Sequence, residues 1–117
     1  MKHTVSLKKN SDFRRAYARG RSFAHRDLVV YFRRNHLQVN RVGITVSAKL
    51  GGAVTRNLVR RRVKEFYRTH EQLFKIGFDI VFVARGRTTQ ASYNEIGNAV
   101  LFLSKKLGLL NDEKSSD

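Results

Sequence analysis

Five polar residues that can hold phosphate groups recur at helical spacing in the middle of the chain. At about 100° per residue they fall within one arc of a helix, and they are Asn57, Arg60, Arg61, Lys64 and Arg68. Lysine and arginine bind the phosphates of nucleic acids, and an asparagine amide suits a phosphate, a ribose 2′-hydroxyl or a hydrated metal ion. Like charges four positions apart on a helix repel each other and cost stability. The pattern therefore favours a face that a polyanion neutralises over an ordinary solvated face.

Aromatic side chains form a second set of residues suited to RNA. Phe13 and Tyr17 lie four positions apart in a short predicted helix, and Tyr31 lies in a predicted strand. The spacing alone favours a core role for Phe13 and Tyr17. A groove for stacked bases is the alternative, because Tyr31 shares a strand face with Arg33 beside the small-residue face of the next strand. For Tyr31 the pattern favours exposure.

The composition points to a basic domain with an anionic partner. The chain has 117 residues and a net charge of +15, and its 41% hydrophobic content suffices for one folded domain. Nucleic acid is the first candidate for the partner and an anionic membrane surface is the second. Cysteine is absent, which excludes disulfides and thiolate metal sites. No apolar run can span a bilayer, and the N-terminus lacks the apolar segment of a signal peptide, so a cytoplasmic protein is expected.

The histidines and acids show no catalytic or metal-binding pattern. The histidines, at positions 3, 25, 36 and 70, are scattered. The acids never cluster, whereas a two-metal nuclease needs several convergent carboxylates. Gly51 and Gly52 are not followed by the Lys-Ser/Thr pair of a phosphate-binding loop. No catalytic residue is predicted, and His70 is expected to pack or cap on the inner side of the long helix.

Periodicity and turn signals predict the elements that must position these residues. Strands are predicted at Arg21–His25, Asp27–Arg34, Arg41–Ser47 and Phe78–Ala84. Helices are predicted from Asn10 or Ser11 to Arg19, from near Ala53 through the basic stretch to the turn that Gly77 ends, and after a Ser92–Glu95 capping box. The long helix would bury Val59, Val63, Phe66, His70, Leu73 and Phe74. The last helix would bury Ile96, Ala99, Val100, Leu103 and Leu107.

The order αβββαβα predicts an α+β fold, a two-layer α/β sandwich with helices against one mixed, four-stranded sheet. The third strand is expected to pair antiparallel with the second. It is also expected to run parallel to the fourth across the long helix, with a right-handed crossover by the general rule. Residues 1–110 are expected to form a single domain, and residues 111–117 a polar tail.

The sequence around the long helix resembles the signature of the bacterial ribonuclease P protein subunit. The distinctive core of this resemblance is the Arg56-Asn57 pair with its basic continuation. From the third strand into the helix the matching residues are Val42, Gly43, Ile44, Thr45, Val46, Ser47, Lys49, Gly51, Ala53, Val54, Arg56, Asn57, Arg60 and Arg61. Elsewhere they are Leu7, Lys8, Asp12, Phe13 and Tyr17, then Phe78, Asp79, Ile80, Val81, Ala84, Arg85 and Tyr93. The resemblance covers nearly the whole chain in the right order.

The resemblance implies a protein cofactor of a ribozyme that removes the 5′ leader of precursor tRNA. The catalytic groups and most of the bound Mg²⁺ would belong to the RNA subunit, with one protein bound per RNA and no organic cofactor. The residues facing the catalytic RNA would be Lys49, Arg56, Asn57, Arg60, Arg61, Lys64 and Arg68. The residues of the leader cleft would be Phe13, Tyr17 and Tyr31. The family's crossover is left-handed, which replaces the default expectation.

Two other interpretations remain open. One is a structural, ribosomal-type RNA-binding protein without a leader groove. The other is a membrane-surface protein, against which the mixed sheet pattern argues.

Overall fold

The computed structural model describes residues 1–111, which form three α-helices and a five-stranded mixed sheet. The strands are β1 (Thr4–Ser6), β2 (Arg21–His25), β3 (Leu28–Arg34), β4 (Asn40–Thr45) and β5 (Phe78–Ala84). The helices are α1 (Asn10–Arg19), α2 (Ala53–His70) and α3 (Tyr93–Lys106). The α+β class is confirmed. The predicted count of four strands is one too low, because the N-terminal segment adds β1 parallel to β4.

Strand β5 lies in the centre of the sheet, whose order is β1-β4-β5-β3-β2. It pairs antiparallel with β3 and parallel with β4, so the predicted antiparallel pairing between β3 and β4 is wrong. The physical reason is that β5 is apolar on both faces, and a central position buries both of them. The parallel unit of β4, α2 and β5 is confirmed, and the hand of its crossover stays a prediction.

The main core lies between one face of the sheet and helices α2 and α3. Val59 and Val63 of α2 are buried there as predicted, and so is the predicted stripe of α3. Tyr67, which the predicted stripe omits, is 1% exposed. Leu73 is 40% exposed, contrary to prediction, because α2 ends at His70 and a short 3-10 turn carries Leu73 away from the sheet.

Helix α1 covers part of the opposite face of the sheet. Its Ala16 is fully buried in a small cluster with Leu7 and Val81. The helix begins at Asn10, one of the two predicted starts, and Lys9 takes the N-cap position without a side-chain hydrogen bond. The buried Asp12 instead attaches the helix to the sheet through Arg41, whose Nη1 lies 3.4 Å from the carboxylate. The face that α1 leaves open is where the aromatic residues lie.

Strand β1 is attached to the end of α2 by a buried polar cluster. The Glu71 carboxylate accepts hydrogen bonds from the Lys2 and His3 amides, both at 2.9 Å, and from the Thr4 hydroxyl. The Tyr67 hydroxyl lies 2.9 Å from the Thr4 hydroxyl. Burial raises the pKa of Tyr67, so its phenol stays protonated at neutral pH.

We expect β1 to detach from the sheet in acid because of Glu71. Burial by itself would raise the pKa of this carboxyl, but the Thr4 hydroxyl and the Lys2 and His3 amides outweigh it and hold the pKa below its usual value. A lowered folded-state pKa stabilises the fold above the unfolded pKa of about 4.3. That contribution is lost as the pH falls through the folded-state pKa. Amide hydrogen exchange at Leu7, which donates to the Val42 carbonyl, should accelerate over that range.

The variant Glu71→Gln is the control for this titration. It removes the charge-assisted bonds, so exchange at Leu7 should be fast already at neutral pH, by a loss of about 2 kcal/mol of local stability. It should also show no further acid-dependent loss. An unchanged acid profile in this variant would assign the transition to another carboxyl.

Candidate nucleic-acid interface

The exposed face of α2 carries the predicted arc of cations. Asn57, Arg61 and Lys64 are exposed, and Arg56 and Arg60 are half-buried. Two of the arginines are oriented by local bonds: Arg56 Nε donates to the Gly51 carbonyl at 3.1 Å, and Arg60 Nη1 donates to Asn57 Oδ1 at 3.2 Å. Lys49 lies in the short 3-10 turn that leads into the helix. Most of the predicted RNA-facing residues therefore lie together, from the turn before α2 to Lys64, whereas Arg68 lies in the last turn of the helix.

Apart from Arg68, the cations of this face have no acidic partner within residues 1–111. The acids that form ion pairs among residues 1–111 are Asp12, Asp27, Glu65 and Asp79. None of these pairs includes Lys49, Arg56, Arg60, Arg61 or Lys64. The positive end of the α2 dipole adds to the same field. The face thus presents uncompensated charge to an anion.

Arg68 and Arg62 differ from the other cations of α2. Arg68 donates to both oxygens of Glu65, at 3.0 and 2.6 Å, and its hydrogen bonds lower the pKa of that exposed carboxyl. Its charge is therefore already paired. Arg62 lies outside the arc and donates to the Ala91 carbonyl at 2.8 Å, next to the start of α3. These contacts give Arg62 a packing role.

The aromatic edge of α1 lies over the small-residue face of β4, which is the arrangement that the groove alternative requires. The Phe13 ring lies against Gly43, where an added Cβ would be 2.5 Å from the ring. Tyr17 packs edge-on against Tyr31, with ring centroids 5.0 Å apart, and its hydroxyl is 2.7 Å from Thr45 Oγ1. Tyr17 is 39% exposed, and Phe13 and Tyr31 are half-buried. All three rings pack on the sheet and are partly exposed, but Tyr31, which is predicted for the leader cleft, does not line the groove that forms here.

A groove joins the aromatic edge of α1 to the basic face of α2. One cleft of about 570 Å³ lies between β1 and α2, and a second of about 410 Å³ lies beside α1. Both are lined by Phe13, Ile44 and Arg60. They meet at the edge of β4 beyond Val42, where the pairing with β1 stops. We call this the leader groove, after the role that the family resemblance predicts for it; its basic wall is Arg60, Arg61 and Lys64, and its aromatic wall is Phe13 and Tyr17.

Sequence reasoning placed these residues in two separate faces and missed Arg14 and the β1 segment as lining residues. The basic face of α1 was visible in the sequence, but the position of β1 was not. His70 takes the packing role predicted for it. Its ring stacks on that of Phe66 with the centroids 3.9 Å apart, and its Nδ1 is 2.8 Å from the Phe66 carbonyl oxygen.

No three histidine, aspartate or glutamate side chains of residues 1–111 lie close enough together to hold a metal ion. No helix within these residues is long and apolar enough to cross a bilayer.

Comparisons with known proteins agree on one family. The family profile described as Ribonuclease P matches residues 1–108. The ribonuclease P protein component of Alkaliphilus metalliredigens is 44% identical over 111 residues, covering 95% of this chain and 100% of that protein. That of Clostridioides difficile is 46% identical over 104 residues, covering 88% of this chain and 91% of that protein.

Solved structures agree with the sequence relatives. The ribonuclease P protein of Staphylococcus aureus superposes with a TM-score of 0.81 at 34% identity, covering 93% of this chain and 98% of that one. A mutant of the S. aureus protein, described as defective in mRNA degradation activity, superposes with a TM-score of 0.82 at 34% identity, covering 92% and 90%. The Thermotoga maritima protein superposes with a TM-score of 0.79 at 29% identity, covering 86% of this chain and 96% of that one. The chain therefore belongs to the bacterial ribonuclease P protein family.

Proposed function

We propose that this chain is the protein cofactor of ribonuclease P, and that it binds both the catalytic RNA and the 5′ leader of precursor tRNA. The ribozyme cleaves the leader with Mg²⁺ that it binds mainly itself, and this polypeptide supplies no catalytic group. Family membership supports the assignment. The observation that carries the proposed binding mode is the leader groove, with uncompensated cations on one wall and accessible aromatic rings on the other.

The groove suits a single strand of RNA. Cations of the basic wall neutralise its phosphates, and rings of the aromatic wall stack on its bases. Stacking tolerates any sequence, because every base has a π-face, and leaders that differ in sequence can share one groove. The basic wall is also part of the exposed face of α2, so its cations, together with Arg56 and Asn57, contact the catalytic RNA beside the bound leader. One protein then contacts both RNAs in a complex of one protein and one catalytic RNA.

Binding of the leader also gives discrimination between substrate and product. Precursor tRNA carries the leader and mature tRNA does not, so the groove adds binding free energy only to the precursor. Specificity is a difference between two affinities. The protein therefore increases precursor affinity without strengthening product inhibition.

We expect Phe13→Ala and Tyr17→Ala each to weaken precursor binding by the reconstituted complex about tenfold, because stacking contributes about 1–3 kcal/mol per base. Affinity for mature tRNA should not change. The measurement is the ratio of the two dissociation constants, with correct folding checked by circular dichroism.

Phe102→Ala is the matched control, because this ring is 45% exposed on α3, outside the leader groove. It should leave the ratio unchanged. Equal ratios for the wild-type protein and both groove variants would favour the alternative, a structural ribosomal-type RNA-binding protein.

Reconstitution with the catalytic RNA at low Mg²⁺ tests the function as a whole. The protein should increase the rate of precursor cleavage above that of the RNA alone, and no increase would refute the assignment. A reaction with protein alone tests where the catalytic groups are. Cleavage of precursor tRNA without the RNA subunit would contradict RNA-based catalysis. The mRNA degradation named for the S. aureus mutant makes mRNA a useful second substrate in that reaction.

A further inference from the structure

We propose that a second cationic cleft, at the other end of the sheet from the start of α2, binds the phosphate backbone of the structured catalytic RNA. The proposal rests on the proposed function, which supplies that RNA as a partner. The cleft has a volume of about 520 Å³. Its cations are Arg19, Arg21, Arg33, Arg34 and Lys75. We call it the distal cleft.

The topology separates the distal cleft from the leader groove. Arg34 is opposite Phe78 in the β3–β5 ladder, so the end of β3 meets the start of β5. The leader groove follows β1 and β4, and β5 separates these strands from β3 and β2. Its α1 end lies beside Thr45, which is opposite Val83 at the far end of β5. No residue that lines one site lines the other.

The cations of the distal cleft are not neutralised by acids. None of the five takes part in an ion pair among the described residues. Asp79 is opposite Arg33 in the sheet, but its carboxylate is already bound by Arg41 and by Asn35. Gathering five like charges costs stability unless an anion binds between them.

Two of the arginines are held over aromatic rings at the floor of the cleft. The Arg21 guanidinium carbon is 5.8 Å from the centroid of Phe32, and that of Arg34 is 5.8 Å from the centroid of Phe78. The two rings pack against each other at 5.5 Å. Cation–π contacts of this kind restrict an arginine while its donor groups remain available. The planar guanidinium then fits a phosphate through two hydrogen bonds.

The same contacts decide which kind of RNA fits. Phe32 is 7% exposed, Phe78 is half-buried, and each ring is covered by its arginine. No ring of the distal cleft is therefore free to stack on a base, in contrast to Tyr17 in the leader groove. A site that offers cations without a stacking platform reads the backbone of a folded RNA. We therefore assign it to the catalytic RNA and not to the single-stranded leader.

The test is the double variant Arg21→Gln/Arg34→Gln, measured for binding to the isolated catalytic RNA over a range of salt concentrations. We expect affinity to fall about tenfold. The negative slope of log K against log salt should become shallower by about 2, since two phosphate contacts are lost. The control is Lys105→Gln/Lys106→Gln, which removes the same charge from exposed residues of α3 outside the cleft. It should leave the slope close to that of the wild type.

Lys75→Gln provides a second variant in case loss of both arginines disturbs the packing of the two phenylalanines. Its side chain is exposed, and the negative slope of log K against log salt should become shallower by about 1. Slopes like that of the control for both variants would overturn the proposal. So would weaker binding of precursor tRNA with unchanged binding of the catalytic RNA, because the cleft would then hold the substrate. Failure of the wild-type protein to bind the catalytic RNA would refute the proposed function, and the distal-cleft assignment with it.

Tethered cleavage locates the RNA at each site directly. Because the chain has no cysteine, an iron chelate can be attached at a single introduced thiol. A probe at Lys75→Cys would report on RNA bound at the distal cleft. A probe at Leu58→Cys, on the exposed side of α2, would report on RNA bound at the basic face of α2. We expect the two probes to cut the catalytic RNA at different places. Absence of cuts from position 75, or cuts identical to those from position 58, would overturn the proposal.

Discussion

Neutralising the basic wall of the leader groove with Arg60→Gln/Arg61→Gln/Lys64→Gln should weaken binding of the catalytic RNA about a hundredfold at moderate salt. None of these cations has an acidic partner among the described residues, so each is free to contact a phosphate. The negative slope of log K against log salt should become shallower by about 2 to 3, because each lost phosphate contact reduces its magnitude by about 0.7–0.9. Dissociation constants from a salt titration measure both effects.

The same triple variant should be slightly more stable than the wild-type protein. Arg60 and Lys64 are four positions apart on α2, and removing a like-charge pair at this spacing returns a few tenths of a kcal/mol. Weaker binding together with an unchanged or raised melting temperature distinguishes a contact surface from a folding defect.

Arg62→Gln is the control on the same helix. It removes one positive charge but also the hydrogen bond to the Ala91 carbonyl, so stability should fall while the salt slope of the folded protein stays the same. If the triple variant kept the affinity and slope of the wild type, the face of α2 would not be the contact surface.

The cationic face of α2 could be predicted from the sequence because helical geometry is local. Positions 57, 60, 61 and 64 meet on one face whatever the rest of the chain does. The position of Phe13 and Tyr17 over β4 was one of two alternatives left open by the sequence, since the small residues on one face of that strand leave space for a ring. Gly43 shows the physical reason, as any larger residue there would overlap Phe13.

The parts that could not be predicted depend on contacts between distant segments. The alternation of β3 and β4 is compatible with direct pairing, and only the apolar character of β5 on both faces hinted that it separates them. On a helical wheel Tyr67 lies beside the predicted apolar stripe of α2. Its burial depends on the return of the N-terminal segment to Glu71, 67 positions from Thr4, and a three-residue strand gives no signal of its own.

The distal cleft was hidden for the same reason. Its cations come from α1, β2, β3 and the segment before β5, and in the sequence they look like isolated surface charges. The fold brings them together and the topology separates them from α2. Local spacing thus reveals a site carried by one element, whereas a site shared between several elements requires the tertiary structure.

A second large effect is expected at Arg41, whose replacement by methionine should cost about 3–5 kcal/mol of unfolding free energy. Asp79 is fully buried, and Arg41 donates to both of its oxygens at 2.8 Å. The hydrogen bond to Asp79 raises the pKa of Arg41 further, so the guanidinium stays charged at every ordinary pH. Removing one member leaves a buried carboxylate with Asn35 as its remaining side-chain donor, which is the costly case for a buried ion pair. Denaturant titration at constant m value measures the loss.

The double variant Arg41→Met/Asp79→Asn tests whether the unpaired charge causes the loss. It contains no buried carboxylate at position 79, so it should recover most of the stability. Arg41 also reaches Asp12 of α1 at 3.4 Å and lies two positions before Gly43 on the same strand face. Arg41→Met should therefore loosen Phe13 over Gly43 and reduce discrimination between precursor and mature tRNA, with the salt slope of catalytic-RNA binding unchanged. A single variant within about 0.5 kcal/mol of the wild type would show that Asp79 does not depend on Arg41, and the proposed attachment of α1 through this pair would then be wrong.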